Sequence, residues 1–122
     1  MPWSKDELDA IVAADDLRVA PYRGDGVTSG TPTWIWSVAV HGDLYARAYN
    51  GVNSRWYVAA ARQKCGRIVA AGRTREVAFE PMEGFINDLV DDAYRAKYRS
   101  SPYLESMIGP RARAATVKIT PA

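Results

Sequence analysis

The stretch "WIWSVAVHGDLYARAY" (Trp34–Tyr49) indicates two strands joined by a tight turn, and this hairpin is the main evidence for the fold class. In "WIWSVAV" the larger apolar side chains recur at every second position, as on the buried face of a strand. "HGD" supplies turn residues before "LYARAY", so the two segments form an antiparallel hairpin. We expect Trp34 and Trp36 to lie in the core.

The segments on either side of this hairpin predict further strands and two helices. Strands are expected at about Leu17–Tyr22, Arg55–Ala61, Gly66–Ala71, Arg75–Glu80 and Ala115–Thr120. A helix is expected from about Lys5 to Asp15, with Ser4 as its N-cap, and a long amphipathic helix from near Pro81 to about Arg99. Because successive strands pair as hairpins, we predict an α+β fold: a mainly antiparallel small (split) β-barrel of about six strands, capped by the N-terminal helix and the long helix of the C-terminal half.

The length and composition suit a single domain, residues 1–122, of the soluble globular class. Arginine outnumbers lysine 12 to 4, but the net charge is only +2 and no dense basic run occurs, so no nucleic-acid partner is expected. The single Cys65 excludes an intrachain disulfide. The sequence shows neither an apolar signal core nor a membrane-length apolar run, and we therefore expect a cytoplasmic protein with no membrane partner.

Residues that carry metal or hydrolytic chemistry are scarce. One histidine and one cysteine cannot form a zinc site of the usual ligand types, and no metal site is expected. The loop "GDGVTSG" (Gly24–Gly30) lacks the dinucleotide-binding glycine spacing, and a strand follows it where that motif needs a helix N-terminus. The pattern therefore disfavours both catalytic-triad and metal-dependent hydrolysis.

The segment "LYARAYNGVNSRWYVAA" (Leu44–Ala60) combines cations with aromatic residues. On a strand, Arg47 shares one face with two tyrosines, Tyr49 among them, and Ser54 and Arg55 follow a glycine-containing turn. One interpretation is a cradle for a flat anionic ligand, which needs a stacking surface and charge-assisted donors. The other is that Arg47 pairs with an acidic residue while the tyrosines fill the core. Both interpretations stay open at this point.

Two further residues belong to the candidate site. Trp56 offers another stacking surface. Lys97 follows Ala93 by four residues and lies on the apolar stripe of the long helix. It either extends its ammonium group past the helix end or points into the same interior as Arg47, as a second contact for an anion.

Four segments carry a resemblance to a known family: "TPTWIWSVAVHGDLYARAYNG", "SRWYVAA", "DDAYRAKY" and "ATVKITP". From about Thr31 to Pro121 they resemble the bacterial family called domain of unknown function 2255. A wider resemblance is to the split β-barrel flavoproteins, which include pyridoxamine-phosphate oxidase-like proteins and deazaflavin-dependent reductases. That resemblance implies FMN or deazaflavin as cofactor, a homodimer with the flavin at the subunit interface, and a phosphate site at Arg47, Ser54 and Arg55.

The sequence departs from the flavoprotein pattern at one point, and a protein that binds no cofactor is therefore an alternative. Where those proteins usually place a lysine just after the serine turn, this chain has Arg55-Trp56-Tyr57, and Trp56 is large enough to fill the phosphate space. Our first hypothesis is a flavin-binding protein or flavin-dependent oxidoreductase, in which Tyr49 or Trp56 borders the flavin ring. The alternatives are a non-redox domain that binds a small anion or metabolite, and a small protein-interaction module.

Overall fold

The computed structural model describes residues 3–122, which form one curled β-sheet with helices on both of its faces. The strands are β1 (Arg18–Pro21), β2 (Thr33–Trp34), β3 (Ser37–Val40), β4 (Asp43–Arg47), β5 (Cys65–Ala70), β6 (Arg73–Pro81) and β7 (Thr116–Pro121). The helices are α1 (Lys5–Ala14), α2 (Arg55–Gln63), α3 (Ile86–Tyr98), α4 (Leu104–Met107) and α5 (Pro110–Arg113), and a short 3₁₀ turn, Gly51–Asn53, precedes α2. Across residues 3–122, no helix combines the length and the apolar character needed to cross a membrane.

The sheet is antiparallel throughout its seven strands, in the order β2-β1-β5-β6-β7-β4-β3. Its two edge strands, β2 and β3, are consecutive in the chain and are separated only by Ile35 and Trp36. Three Cα–Cα steps of about 3.8 Å span at most about 11 Å, so the two edges must lie close together. The sheet therefore curls into a half-barrel, and the predicted α+β fold with a small, mainly antiparallel barrel is confirmed.

The first core fills the inside of the curl and is covered by α1. Leu8 and Ile11 of α1 pack with sheet residues such as Val19 and Phe79. Ser4 caps this helix as predicted, since its Oγ accepts a hydrogen bond of 3.2 Å from the backbone N–H of Glu7.

The second core lies on the opposite face of β3 and β4, under α3. Val38, Val40 and Tyr45 pack there against Val90 and Tyr94 of the helix. Strand β4 is consequently buried on both faces, with its even-numbered residues in the first core and its odd-numbered residues facing α3. This arrangement places Arg47, the last residue of β4, beneath a helix rather than at the surface.

The segment predicted as a strand at Arg55–Ala61 is instead helix α2, and that prediction was wrong. Its inward side chains are Trp56, Tyr57 and Ala60, which pack on the first core. Neighbours such as Trp56 and Tyr57 would face opposite ways on a strand, whereas positions i, i+1 and i+4 share one side of a helix. Three successive alanines, among the best helix formers, support the same choice.

Two further expectations are corrected at element ends. The predicted strand from Trp34 is interrupted at Ile35 and Trp36, where the chain passes from one sheet edge to the other, and Trp34 is 53% exposed rather than in the core. The long helix begins at Ile86 instead of near Pro81, because β6 continues to Pro81 by pairing with Val117 of β7.

Candidate functional site

A pocket of about 650 Å³ opens where the two sheet edges meet. Its walls come from the link between β2 and β3, the end of β4 with the turn that follows it, the start of α2, and the segment around α4. The lining residues are Thr33, Trp34, Ile35, Trp36, Arg47, Tyr49, Asn50, Ser54, Arg55, Trp56, Tyr103 and Met107. Of the six residues predicted for the site, the fold brings five together here, and Lys97 lies elsewhere.

The turn at Gly51 sets the direction in which α2 leaves the pocket. Gly51 has a φ of +84°, a backbone conformation that favours glycine. A Cβ atom built on it would lie 2.7 Å from Cγ of Arg111, which leaves no space for a side chain. The Nε group of Arg111 also donates a 3.0 Å hydrogen bond to the carbonyl oxygen of Tyr49. These contacts fix the chain between β4 and the N-terminus of α2.

Arg47 lines the pocket, yet its whole residue is only 1% exposed. Its Nε donates to Thr116 Oγ1 (3.0 Å), its Nη1 to Asp91 Oδ1 (2.5 Å) and Met107 O (3.1 Å), and its Nη2 to Asn87 O (3.0 Å) and Asn87 Oδ1 (3.1 Å). An arginine has five N–H groups, and each of these already has an acceptor. Of the two interpretations of Arg47, the structure therefore shows the ion pair with an acidic residue. The hydrogen bonds of this side chain join β4 to α3, α4 and β7.

The charge of this buried arginine is balanced by a carboxylate that a second arginine shares. Asp91, on α3, accepts hydrogen bonds from Arg47 through Oδ1 and from Nη1 of Arg113 through Oδ2. Arg113 also reaches Asp88 at 3.3 Å. The ring of Tyr94 lies 5.4 Å from the guanidinium carbon of Arg47, close enough for a cation–π contact. Arg47 therefore supports the pocket as a structural residue.

Five of the twelve residues that line the pocket are aromatic. Trp34, Tyr49 and Tyr103 are 53%, 40% and 58% exposed, respectively, which is high for such large rings. Trp36 is held by stacking on Tyr98, with ring centroids 3.9 Å apart and an interplanar angle of 5°. Sequence reasoning assigned Trp34 and Trp36 to the core and did not single out Tyr103. Trp36 is partly buried and packs against the second core, so only the expectation for Trp34 was wrong. The signal for Trp34 was its position two residues after Pro32, where a strand can end.

The N-terminus of α2 lies at the pocket, which its residues Ser54, Arg55 and Trp56 line, and it carries the positive charge of Arg55. Ser54 is its N-cap, but its side chain makes no capping hydrogen bond, and the first turn contains no acidic residue. The backbone N–H groups of Arg55, Trp56 and Tyr57 precede the first amide that can bond within the helix, that of Val58 to Ser54 O. Within residues 3–122 the exposed guanidinium of Arg55 has no ion-pair partner closer than 4 Å. A helix N-terminus with these features attracts anions.

The profile of a bacterial family, described as an uncharacterised protein conserved in bacteria (DUF2255), matches residues 7–119. The chain belongs to this family. The resemblance identified from the four sequence segments is thereby confirmed for DUF2255. No curated protein matches the chain.

The whole pocket of this DUF2255 domain lies inside the matched range, since its lining runs from Thr33 to Met107. No carboxylate is among the lining residues, so the charge of Arg55 is not cancelled within the pocket. Among residues 3–122 there is also no group of three histidine, cysteine or carboxylate side chains arranged to hold a metal ion. The DUF2255 pocket therefore combines aromatic surfaces on which a ring can stack with hydrogen-bond donors and a positive charge at the start of α2.

Lys97 of the DUF2255 domain supports the wall of the pocket from behind. Its Nζ donates a 2.6 Å hydrogen bond to the carbonyl oxygen of Ser37 and lies 3.3 Å from Asp15 Oδ1. It also lies 5.0 Å from the ring of Tyr98, on which Trp36 stacks. Burial lowers the pKa of Lys97, while the nearby Asp15 carboxylate opposes that shift. Lys97 is not among the pocket-lining residues, so it does not form a second anion contact beside Arg47.

Proposed function

We propose that this domain binds a flat aromatic small molecule that carries an anionic group, with FMN or a deazaflavin phosphate as the first candidates. The observation that carries the proposal is that one pocket is lined both by exposed aromatic rings and by the N-terminal residues of α2, Arg55 among them. Its volume of about 650 Å³ falls in the range of pockets that enclose drug-sized ligands, about 300–1,000 Å³.

The two ends of the pocket suit the two parts of such a ligand. Trp34, Tyr49 and Trp56 offer faces or edges for a planar ring, and an aromatic pair contributes about 0.5–1.5 kcal/mol beyond the area that it buries. Ser54 Oγ, the free amides of the first turn of α2 and the Arg55 guanidinium suit the anion. A hydrogen bond to a charged group contributes about 1.5–3 kcal/mol. Arg47 holds the surrounding elements in place but has no donor left for the ligand.

A bound flavin would supply electron or hydride transfer, which protein side chains do not perform by themselves. The residues of this chain would bind the phosphate, orient the ring and limit the access of water. An oxidoreductase activity is thus part of the proposal only through the cofactor. We also propose that the domain is a homodimer, because a second copy over the rim would bury the exposed rings of Trp34 and Tyr103.

A second candidate is non-redox binding of an aromatic carboxylate or another small anionic metabolite. The observation that favours it is that Arg47, one of the three phosphate residues implied by the flavoprotein resemblance, is fully engaged by protein acceptors. Trp56 also lines the pocket at the α2 N-terminus, where its large indole would compete with a phosphate for space. A single carboxylate is smaller and needs fewer donors than a phosphate does.

The test is titration of the purified protein with riboflavin, FMN, a deazaflavin phosphate and 4-hydroxybenzoate, followed by tryptophan fluorescence. Trp34, Trp36 and Trp56 line the pocket and report on an occupant by quenching. In Arg55→Gln we expect FMN to bind about tenfold more weakly, because about 1.4 kcal/mol of anion binding is lost. Riboflavin, which has no phosphate, should change by less than about twofold.

The matched control is Arg73→Gln, an exposed arginine on β6 outside the pocket. It should leave every affinity unchanged. Saturable quenching by 4-hydroxybenzoate alone would favour the non-redox candidate over the flavin. If none of the four compounds binds, or if Arg55→Gln and Arg73→Gln behave alike, the proposed function is wrong. Sedimentation equilibrium with and without FMN tests the homodimer.

A further inference from the structure

A second, smaller groove of about 320 Å³ borders the other side of α2. Its lining includes three arginines: Arg55 and Arg62 from α2, and Arg23 from the loop after β1. Arg55 and Arg62 are seven residues apart and therefore lie on one side of the helix, about 10 Å apart along its axis. Arg55 lines both the pocket and this groove, so the two are neighbouring compartments.

Within the described part of the chain, no carboxylate lies within ion-pair distance of these three arginines; Asp25 acts on Arg23 only at longer range, as the weakest of the causes that shift the pKa of its carboxyl. Each of the three arginines is exposed, and no ion pair or side-chain hydrogen bond within residues 3–122 involves any of the three. No acidic residue lines the groove. Arg67 and Arg75 of the sheet are paired with Glu76 and Glu7, respectively. Arg18, Arg73 and Arg99 also make no ion pair within residues 3–122, but none of them lines the groove, so the sharing of one groove is what distinguishes the three arginines.

The nearest acidic residue in the loop, Asp25, is used to shape the loop itself. Its carboxylate accepts hydrogen bonds from the backbone N–H groups of Val27 (2.9 Å) and Thr28 (2.8 Å) and from the Thr28 hydroxyl (2.6 Å). The Thr28 hydroxyl, followed by these two amides, holds the pKa of Asp25 at about 2. These hydrogen bonds fix the backbone of the turn that carries Arg23. They also engage the Asp25 carboxylate within the loop, so it makes no hydrogen bond to Arg23.

Three guanidinium groups that share one groove with no carboxylate in its lining raise the local positive potential, which attracts anions. Arginine binds phosphate and carboxylate oxygens through its planar fork. We infer that this groove is a second anion subsite, which binds the diphosphate or an equivalent arm with two or more negative charges on the ligand whose aromatic ring occupies the pocket. This inference rests on the proposed function and narrows its ligand class to extended polyanionic molecules.

The first experiment tests the groove without any aromatic ligand. Inorganic pyrophosphate is titrated into the ¹⁵N-labelled protein while the Nε–Hε signals of the arginines are followed by NMR. We expect saturable shifts at Arg23 and Arg62, and an affinity at least about tenfold weaker in the double variant Arg23→Gln/Arg62→Gln. The control, Arg73→Gln/Arg99→Gln, removes the same charge from two exposed arginines outside both compartments and should bind pyrophosphate as the wild type does.

The second experiment asks whether the groove serves the ligand of the pocket. FAD and FMN share the ring and the first phosphate, but only FAD has a diphosphate arm. In Arg23→Gln/Arg62→Gln the affinity for FAD should fall about tenfold relative to that for FMN, whereas Arg73→Gln/Arg99→Gln should keep their ratio. The variant Trp34→Leu should weaken both flavins and leave pyrophosphate binding unchanged, because Trp34 lines only the pocket.

The two proposals fail in different ways. Equal pyrophosphate affinities for the wild type and Arg23→Gln/Arg62→Gln, or an unchanged ratio of FAD to FMN affinity, overturn the second subsite while the pocket stands. If pyrophosphate binding depends on Arg23 and Arg62 but neither a flavin nor 4-hydroxybenzoate binds, the anion site stands and the proposed function fails. If both double variants weaken pyrophosphate equally, the binding follows net charge alone and the subsite is wrong.

Discussion

Replacing Arg47 by lysine should destabilise the protein strongly, although the substitution keeps the charge. The guanidinium donates five buried hydrogen bonds to four residues on three different elements. A lysine ammonium has three donors on one atom and cannot reproduce the planar fork. At least two of the five acceptors therefore lose their donor inside the protein.

The size of the effect follows from that loss. Two hydrogen bonds to a charged group contribute about 1.5–3 kcal/mol each, and part of this is recovered by relaxation around the shorter side chain. We expect Arg47→Lys to lower the free energy of unfolding by about 3 kcal/mol, which corresponds to a fall in Tm of about 12 °C for a domain of this length. Arg47→Ala, which leaves Asp91 with Arg113 alone, should cost about 3–5 kcal/mol.

The assay is equilibrium unfolding in urea, followed by tryptophan fluorescence, with the slope against urea concentration checked for constancy. Arg62→Lys is the matched control, because this exposed arginine makes no ion pair within residues 3–122, and its effect should stay within about 0.5 kcal/mol. A loss of less than about 1 kcal/mol in Arg47→Lys, with an unchanged slope, would refute the structural role. If the same variant also lost its affinity for FMN, Arg47 would be a ligand contact after all.

Three other substitutions test separate features of the fold. Gly66→Ala should lower the free energy of unfolding by about 1–3 kcal/mol, because the new Cβ would lie 2.6 Å from Cα of Pro21. Gly24→Ala is the control and should be nearly neutral, because a Cβ there would have no atom within 4 Å. Equal effects of the two substitutions would contradict this packing. Ser4→Ala should cost about 1 kcal/mol by removing the N-cap of α1, and unchanged urea unfolding would show that the cap is unimportant. Burial, and then the hydrogen bond to a neighbouring carboxylate, raise the pKa of Tyr98 above its ordinary value. The contribution of this raised pKa to stability is therefore complete below pH about 10 and is lost as the pH rises. The free energy of unfolding should then fall less steeply above that pH in Tyr98→Phe than in the wild type. Parallel curves of unfolding free energy against pH would contradict the raised pKa.

Much of the sheet could be predicted from local pattern alone. The alternation in "WIWSVAVHGDLYARAY" and the turn residues between its halves locate β3 and β4 within a few residues. The capping serine and the apolar spacing behind it likewise locate α1. Such features depend on neighbours in the chain, since side-chain alternation and caps are local properties.

The candidate site could be predicted only in part. The segment Leu44–Ala60 was identified because it combines cations with aromatic residues, and five of its predicted site residues do line one pocket: Arg47, Tyr49, Ser54, Arg55 and Trp56. Trp34 and Tyr103 were missed, since their exposure depends on how the two sheet edges and α4 meet. Arg23 and Arg62 join Arg55 only when the loop after β1 lies beside α2, and no spacing in the sequence indicates this.

Local sequence patterns were enough to predict the fold class and the residue types of the candidate site, and the resemblance of four segments was enough to predict the family. The tertiary structure decided the role of each residue. "RWYVAAA" was compatible with a strand until packing of Trp56, Tyr57 and Ala60 on one side required a helix. Arg47 was compatible with a ligand contact until α3 placed Asn87 and Asp91 around it. The physical reason is that a short segment satisfies several local conformations, and burial against distant parts of the chain selects one of them.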